Sequence, residues 1–465
     1  MTLVSFIIFL ALFLAVGLGS AFVAKGTRKD YYLAGSSVPP WLVALSAVAT
    51  NNSGYMFIGV IGYTYVTGLA SIWLMVGWIL GDFVASLFIH KKLREATGDT
   101  HEASFAGVIA AWHGRKFTTW RRVAAMVMIV FLGAYAAAQI SAGGKALHGV
   151  LGWAPETGAI IVAAMVLVYS IAGGIRASIW TDGLQSLVMM VAMAVLFIVG
   201  VNGLGGWSAT VDAWDDVPAF MNLFPADLLF PGALGVGLFV LGWMFAGASV
   251  IGQPHIMVRF MTLDNADHMT RTRVWYYSYF TIFYLLATGV GMLSRLYLPD
   301  LQSLDPELAL PTMAVELLPP VMVGVVLAGI FAATMSTADS LVLSCSAAVT
   351  HDLMPQQMES QGKIKMATAA VTGLALFIAL SDNSSVFSLV ILAWSVLASA
   401  FAPMLFLMVS NRDITEGRAI IVMLIGVGTA LLWREFGFHA DVYEGMPAIL
   451  LALVVGWGLS KKTAS

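Results

Sequence analysis

The segment Phe331–Cys345, FAATMSTADSLVLSC, places one carboxylate and five hydroxyls inside a long apolar run. On a helix, Ser336, Asp339 and Ser340 share one face, because residues three and four apart are neighbours. The run contains no Lys or Arg that could balance Asp339. Oxygen ligands suit hard cations, and without a cage of several carboxylates the favoured guest is a monovalent ion such as sodium. The alternative is that each hydroxyl bonds to a carbonyl one turn back in its own helix.

A second carboxylate, Asp182, lies in the segment IWTDGLQS, Ile179–Ser186. A charged carboxylate at the bilayer centre costs at least about 2.5–3.5 kcal/mol, so such a group is paired or binds a cation. One interpretation is that Asp182 reaches water or pairs with Arg176. The other is that Asp182 lies at the same depth as Asp339, where both carboxylates face one ion.

Two apolar runs contain residues that should break a helix. Thr50–Gly54 reads TNNSG at the centre of one run, and Asn, Ser and Gly are poor helix formers. Phe245–His255, FAGASVIGQPH, carries two glycines and a proline in another run. Irregular backbone at membrane depth is tolerated only where it lines a cavity within the protein. Breaks at corresponding places in two halves are typical of the binding site of a transporter.

The composition indicates a polytopic membrane protein. Of 465 residues, 59% are hydrophobic and 11% are charged, whereas soluble proteins carry about 25% charged residues. The net charge of −3 does not suggest nucleic-acid binding, and the single Cys345 excludes an intramolecular disulfide. No phosphate-binding loop or HExxH motif is present, so we expect no enzyme. Thirteen apolar runs are long enough to cross a bilayer, at about 3–24, 40–64, 68–92, 118–144, 156–173, 178–203, 232–258, 274–296, 317–348, 363–381, 385–409, 415–433 and 444–460.

The basic residues predict the orientation of these spans. If the N-terminus is outside and the spans alternate, all but three of the 23 Lys and Arg residues fall on the cytoplasmic side. The exceptions are Lys145, Arg295 and Arg434. Because positive residues favour the cytoplasmic side, we expect an outside N-terminus and a cytoplasmic C-terminus in the cell (inner) membrane.

The spacing of the two breaks predicts an inverted repeat within one transmembrane transporter domain of residues 1–465. The breaks begin the second and seventh spans, five helices apart, and the blocks 40–203 and 232–409 have similar lengths. The run 3–24 would then be an extra N-terminal helix. The region 415–460 would supply two extra C-terminal helices.

Four motifs resemble those of the solute:sodium symporter family, and most closely its sodium/proline symporter branch. They are ALSAVATNNSG at 44–54, WTDGLQ at 180–185, IGQPHIMVRFM at 251–261 and ATMSTADS at 333–340. The resemblance implies an all-α membrane protein with about 13 transmembrane helices and a LeuT-type 5+5 inverted repeat. It also implies a main sodium site formed by the carbonyls of Ala49, Asn52 and Ala333 and the hydroxyls of Ser336 and Thr337. A second sodium site would use Asp182, Ser336, Asp339 and Ser340.

The chain departs from the proline branch around the expected solute site. Asn51 replaces an Asp, and Ala246 and Val250 stand where that branch has a Trp and a Tyr, whereas the aromatic Tyr135 is kept. Loss of two rings would enlarge the pocket and remove packing around a pyrrolidine. Proline or a related amino acid remains the expected solute. The predicted solute-binding residues are Asn51, Ser53, Gly54, Tyr135, Gln139, Trp243, Ser249 and Gln253.

The sequence therefore predicts a sodium-coupled secondary active symporter that imports a small organic solute. Its expected partners are the solute, sodium and the lipid bilayer, with no nucleic acid and no obligatory protein partner. Two alternatives stay open: a proton-coupled symporter in which Asp339 titrates, and a transporter-like receptor that binds a solute and signals. Tyr135, Gln139 and Trp243 also have a purely structural interpretation, as packed aromatics and a polar bridge between helices.

Overall fold

The structure is a computed structural model that describes residues 1–20, 27–300, 305–354, 361–381 and 385–462. Within these ranges the chain is almost entirely helical, as its long apolar runs predict. The helices of the first half are α1 (Thr2–Ser20), α2 (Arg28–Leu33), α3 (Pro40–Gly54), α4 (Ile61–Thr67), α5 (Ile72–Thr100), α6 (Phe105–Ala111), α7 (Thr118–Leu151), α8 (Pro155–Gly203) and α9 (Trp207–Asp215).

The second half begins with a helix that is interrupted before a proline and ends with two additional helices. Its helices are α10 (Gly232–Ala248), α11 (Pro254–Met261), α12 (Met269–Tyr297), α13 (Ala309–Leu317), α14 (Pro320–Ala347), α15 (Gln361–Ser381), α16 (Val386–Val409), α17 (Glu416–Glu435) and α18 (Gly445–Leu459). Two short antiparallel strands, β1 (Arg412–Asp413) and β2 (Lys461–Lys462), tie the start of α17 to the end of α18.

Ten helical segments in the described ranges are long and apolar enough to cross a membrane. The longest, Pro40–Thr100, turns back at Gly68, and α8 turns at Gly174. Both glycines have positive φ, of 68° and 57°. A Cβ atom there would lie 2.2 Å from the carbonyl oxygen of Phe220 or 2.6 Å from that of Tyr31, so only glycine fits. The turn at Gly68 divides Pro40–Thr100 into two of the predicted runs. Two shorter apolar helical segments, Pro155–Val168 and Gly445–Leu459, supply two more, so helices account for all thirteen apolar runs.

Helix α14 is the buried centre of the bundle. It packs against α1, α3, α7 and α8, and almost every residue from Val323 to Ala347 is buried. The polar residues of the FAATMSTADS segment therefore face other helices and not lipid. This burial satisfies the requirement that polar groups at membrane depth find partners inside the protein.

The last two helices pack against one side of the bundle. α17 and α18 pack against each other and against α16, and α18 also contacts α10. The guanidinium of Arg412 lies 4.2 Å from the ring centroid of Trp457, which fixes the strand pair beneath α18. The segment between α17 and α18 thus comes close to the broken helix of the second half.

Candidate ion and solute site

The helix α3 is broken at one residue, Ser53. Ser53 has φ 48° and ψ −177°, and a π-helical segment, Tyr55–Val60, follows it before α4 begins. The backbone N–H of Tyr55 donates to the carbonyls of Asn52 and Ser53 and to the hydroxyl of Ser53, at 3.0 Å for the hydroxyl. The sequence predicted an unwound stretch of five residues, whereas the structure confines the distortion to one left-handed residue and the turn after it.

The hydroxyls of α14 meet the carbonyls of α3 just before this break. Ser336 Oγ lies 3.1 Å from the carbonyl oxygens of both Ala49 and Ala333, and Thr337 Oγ1 donates to the carbonyl of Thr50 at 2.9 Å. The bond of Thr337 crosses between helices, and Ser336 bridges both, so bonding one turn back does not account for the cluster. All of these groups are fully buried.

Asn52 lies beside this cluster with its amide unpaired. Its side chain is fully buried, and neither Oδ1 nor Nδ2 has a hydrogen-bond partner among the described residues. A buried amide without partners costs about 1–3 kcal/mol, so it marks a place where a ligand could complete the bonding. The cluster offers carbonyl and hydroxyl oxygens only, which fits a hard monovalent cation.

Asp182 and Asp339 meet around a cation that the sequence analysis missed. Arg259 of α11 is fully buried, and its Nη2 lies 3.4 Å from Asp182 Oδ2 and 3.9 Å from Asp339 Oδ1. The same nitrogen donates to the hydroxyls of Ser178 and Ser340. The sequence IGQPHIMVRFM could have indicated this role for Arg259, because the arginine follows a helix break within an apolar segment. A buried pair of carboxylates also requires a counter-ion.

Serine hydroxyls bond to one oxygen of each of these carboxylates. Ser46 Oγ donates to Asp182 Oδ2 at 2.6 Å, and Ser178 Oγ donates to Asp339 Oδ1 at 3.1 Å. Ser340 Oγ lies at the same distance, 3.1 Å, from Asp339 Oδ1. The second oxygens, Asp182 Oδ1 and Asp339 Oδ2, and the Arg259 atoms Nε and Nη1 have no partner in the described part of the chain. Two carboxylates and one guanidinium leave a formal charge of −1 in a fully buried cluster. One further monovalent cation or a proton would neutralise it.

Ser340 joins this charged cluster to the oxygen cluster of Ser336. Its hydroxyl donates to the carbonyl of Ser336 at 2.6 Å. The same oxygen lies 3.3 Å from Thr50 Oγ1, within hydrogen-bonding distance. The side chain of Ser336 points to Ala49 and not to Asp182 or Asp339. Of the four residues predicted for a second sodium site, three gather around Arg259, and Ser336 belongs to the other cluster.

Four of the predicted solute-binding residues lie together at the break in α3. The backbone N–H of Gly54 donates to Gln139 Oε1 at 2.7 Å, and Tyr135 OH donates to Ser53 Oγ at 3.4 Å. Gln139 Nε2 is buried without a partner among the described residues. The ring of Tyr135 packs edge-on against His255, at 5.3 Å between centroids. His255 was not predicted as a site residue, although it follows the break in the second half directly.

The other four predicted residues point elsewhere. Asn51 Nδ2 donates to Tyr276 OH at 2.6 Å, and Tyr276 donates to Oδ2 of the buried Asp82 at 2.9 Å.

Ser249 and Gln253 belong to the break between α10 and α11. Ser249 Oγ donates to the carbonyl of Phe245 at 2.7 Å, and Gln253 Nε2 donates to the carbonyl of Trp394 at 2.8 Å. Trp243 lies apart from Tyr135, with its ring edge-on to Tyr63 at 5.8 Å.

Broken helices in both halves, with oxygen-rich contacts at the first break, define a polytopic membrane transporter. The sequence model of the sodium:solute symporter family matches residues 31–426. The chain therefore belongs to the sodium:solute symporter family. Sodium-coupled solute transport is thus its activity, with sodium as the coupling ion, and it is a transporter and not an enzyme.

Two bacterial relatives are similar over nearly the whole chain. The high-affinity proline transporter PutP of Bacillus subtilis (strain 168) is 28% identical over 445 residues, which cover 93% of this chain and 92% of that protein. The sodium/proline symporter of Staphylococcus aureus (strain NCTC 8325 / PS 47) is 27% identical over 486 residues, covering 99% and 93%.

Two solved structures share the fold. A substrate-bound, outward-open Na⁺-coupled sialic acid symporter has a TM-score of 0.81 at 18% identity, with 99% of each chain covered. Mhp1, a nucleobase-cation-symport-1 family transporter in a closed conformation with bromovinylhydantoin bound, has a TM-score of 0.60 at 14% identity, covering 94% and 95%. These similarities confirm the predicted LeuT-type helical fold.

Proposed function

We propose that this protein is a sodium-driven importer of proline or a chemically related amino acid. The observation that carries the proposal is the contact of Ser336 and Thr337 with the carbonyls of Ala49 and Thr50, beside the break in α3. Both bacterial relatives above are proline transporters by name, which supports an amino acid as the solute.

Sodium is transported in this proposal, and it binds first at the oxygen cluster. The carbonyls of Ala49, Asn52 and Ala333 and the hydroxyls of Ser336 and Thr337 surround it, and the hydroxyl protons rotate away as their oxygens turn toward the ion. Sodium replaces hydrogen bonds that now hold α14 to α3. It therefore changes how these helices meet, and coupling to the solute acts both ways.

The solute binds at the distorted backbone after Ser53. Ser53, Gly54, Tyr135 and Gln139 already bond to one another there, and the unpaired Nε2 of Gln139 is a donor that suits a carboxylate. Since Ser53 and Gly54 share α3 with the sodium cluster, a solute that orders them favours sodium binding. The membrane potential then supplies about 2.3 kcal/mol per charge per 100 mV for inward movement.

A second sodium ion would bind at the charged cluster of Asp182 and Asp339, whose formal charge of −1 includes Arg259. A proton at the same cluster is the competing hypothesis. Uptake that follows a pH gradient in sodium-free medium would favour the proton. The proposed orientation places the N-terminus outside and the C-terminus in the cytoplasm of a bacterial-type inner membrane, with the lipid bilayer as the only further partner.

Uptake of radiolabelled proline and a panel of neutral amino acids into proteoliposomes tests the proposal. We expect accumulation with an inward sodium gradient and none when choline replaces sodium. Thr337→Ala should raise the sodium concentration for half-maximal uptake about tenfold, because an interaction worth about 1.4 kcal/mol is a factor of ten in affinity.

The matched control is Thr372→Ala. Thr372 is a buried threonine whose hydroxyl bonds within α15, at 2.9 Å to the carbonyl of Thr368. Its sodium response should equal that of the unmodified protein. An unchanged sodium response in Thr337→Ala would contradict the assigned ligands.

A further inference from the structure

Asp82 of α5 is a buried carboxylate that neither central cluster uses. Its side chain is fully buried on a helix that is apolar enough to cross the membrane. Its Oδ2 accepts from Tyr276 OH at 2.9 Å, whereas its Oδ1 has no hydrogen-bond partner among the described residues. A charged carboxylate inside the membrane is costly unless a cation balances it. Asp82 therefore needs a neutralising partner.

Most of the elements that pack against α5 carry no charge near Asp82. The helices α6, α10 and α16 and the turns Gly68–Ser71 and Ser249–Gly252 contain no ionisable side chain. The turn Ala266–His268 meets α5 at its inner end, where Lys91 pairs with Asp267 at 2.7 Å. A counter-charge for the carboxylate could thus come only from α11, α12 or α5 itself.

The ionisable side chains of α11 and of α5 are directed to other groups. Arg259 Nη2 of α11 lies 3.4 Å from Asp182 Oδ2, and His255 packs edge-on against the ring of Tyr135. His90 of α5, two helical turns from the carboxylate, is buried, and neither of its ring nitrogens has a hydrogen-bond partner in the described part of the chain. None of these three basic residues balances the carboxylate.

The helix α12 brings two phenols and one arginine to this region. Tyr276 and Tyr277 face Asp82. Arg273, one turn before Tyr277, donates from Nη2 to the carbonyl of Ser86 at 2.6 Å. Within the described ranges the arginine forms no ion pair with the carboxylate, so Asp82 has hydroxyl neighbours and no paired cation.

Tyr276 links Asp82 to the helix that carries the sodium cluster. Asn51 Nδ2 donates to Tyr276 OH at 2.6 Å, and Tyr276 donates in turn to Asp82. All three side chains are buried. Asn51 follows Thr50, whose carbonyl accepts from Thr337. A change of charge on Asp82 is therefore transmitted to the same stretch of α3 that contacts the sodium ligands of α14.

A proton fits this position better than a metal ion does. Asp82 Oδ1 is shielded from solvent and has no neighbouring oxygen ligand within hydrogen-bonding distance among the described residues. A hard metal ion needs several oxygen ligands, whereas a proton adds no volume and needs none. Arg273 and Tyr277 are partly exposed, and the ring of Tyr277 packs edge-on against Tyr276 at 4.9 Å. Water at the inner end of α12 thus comes close enough to exchange a proton with the carboxylate.

We propose that Asp82 is a proton-binding site that holds a proton on Oδ1 in the sodium-free protein and releases it as sodium binds. The proton passes to water at the predicted cytoplasmic end and leaves one negative charge on the carboxylate. This charge favours sodium at the oxygen cluster, and bound sodium favours release of the proton by the same factor. The inference goes beyond sodium-driven import and does not depend on the identity of the solute.

Infrared difference spectra of the purified full-length protein test the proton directly. In sodium-free choline buffer at neutral pH, the spectrum of the unmodified protein minus that of Asp82→Asn should show the carbonyl band of one carboxylic acid. Asp99→Asn, at an exposed aspartate of the same helix, is the matched control and should show carboxylate bands instead. Tyr276→Phe keeps Asp82 and should move its carbonyl band to higher frequency, because Oδ2 loses its hydrogen bond.

Equilibrium binding of radiolabelled sodium to the same proteins tests the coupling. At acidic pH Asp82 is protonated, so the unmodified protein and Asp82→Asn should have equal dissociation constants for sodium. At alkaline pH the unmodified protein gains the negative charge and should bind sodium about fivefold more tightly than Asp82→Asn, as for a typical coupling between two sites. Asp99→Asn should follow the unmodified protein at both pH values.

Two outcomes would overturn the proton site. One is a difference spectrum in which Asp82 contributes carboxylate bands at neutral pH without sodium. The other is a ratio of sodium affinities between the unmodified protein and Asp82→Asn that is the same at acidic and alkaline pH, which a purely structural role predicts. These readouts need no solute. A failure of sodium-driven amino-acid uptake would therefore remove the proposed solute and leave the proton site standing, and carboxylate bands from Asp82 would do the reverse.

Discussion

At the scale of single residues, the buried position of Arg259 between Asp182 and Asp339 has the largest energetic consequence. Removing a charge from water costs several kcal/mol, and the cost is recovered only when opposite charges and hydrogen bonds surround it. Arg259 has both, through two carboxylates and the hydroxyls of Ser178 and Ser340. Removing the arginine charge and removing one carboxylate charge should therefore have unequal effects on stability.

We predict that Arg259→Gln destabilises the protein by about 3–5 kcal/mol, because two carboxylates remain buried without a cation. Asp339→Asn should cost much less, since it leaves Asp182 and Arg259 as a neutral pair. The double variant Arg259→Gln/Asp339→Asn restores the formal charge of −1 and should be more stable than Arg259→Gln alone. Thermal unfolding of the purified protein in detergent measures all three.

Arg273→Gln is the matched control for this cycle. Arg273 is partly exposed and donates to the carbonyl of Ser86 at 2.6 Å, so its loss should have a small effect. Equal and additive losses for Arg259→Gln and Asp339→Asn would show that the three charges do not act as one group.

At the scale of elements, the break in α3 matters because three helices meet there without room for larger side chains. A Cβ atom on Gly54 would lie 2.5 Å from Thr334 Cγ2 of α14 and 3.0 Å from Gln139 Oε1 of α7. Gly54 has an ordinary helical φ of −64°, so its small size and not its flexibility is required. The close approach also lets the Gly54 N–H reach Gln139.

We predict that Gly54→Ala abolishes sodium-driven uptake, because the added methyl pushes α3 away from α14 and α7. Gly133→Ala, in α7, is the control, since nothing lies within 4 Å of its added Cβ. It should keep uptake and gain some helix stability. Uptake by Gly54→Ala comparable to that of the control would contradict a close-packed sodium and solute site at this break.

At the scale of the whole molecule, the predicted topology places 20 of the 23 basic residues at one end of the bundle. Arg121 there pairs with Glu102 at 2.9 Å and with Asp352 at 2.7 Å, and Arg115 pairs with Asp413 at 3.1 Å. Arg434 and Glu444, which pair at 2.7 Å, lie at the opposite end in the predicted orientation. Since positive residues favour the cytoplasmic side, the two ends should face different compartments.

We predict that a membrane-impermeant maleimide labels Ala440→Cys in intact cells and labels Lys116→Cys only after permeabilisation. Both positions are exposed, and the background Cys345→Ala removes the buried native thiol. Labelling of the unsubstituted background gives the baseline. The reverse pattern would invert the proposed orientation.

The sequence by itself determined the fold class, the thirteen apolar runs and the contact region of Ser336 and Thr337, because hydropathy and helix-breaking residues are local signals. It also indicated that Asp182 and Asp339 need a cation. Only the tertiary structure decided that Arg259 supplies positive charge, that Asn51 turns toward Tyr276, and that the ring of Trp243 packs against Tyr63. The reason is that these pairings join residues tens to hundreds of positions apart, and the direction of a side chain between packed helices depends on neighbours that no local pattern specifies.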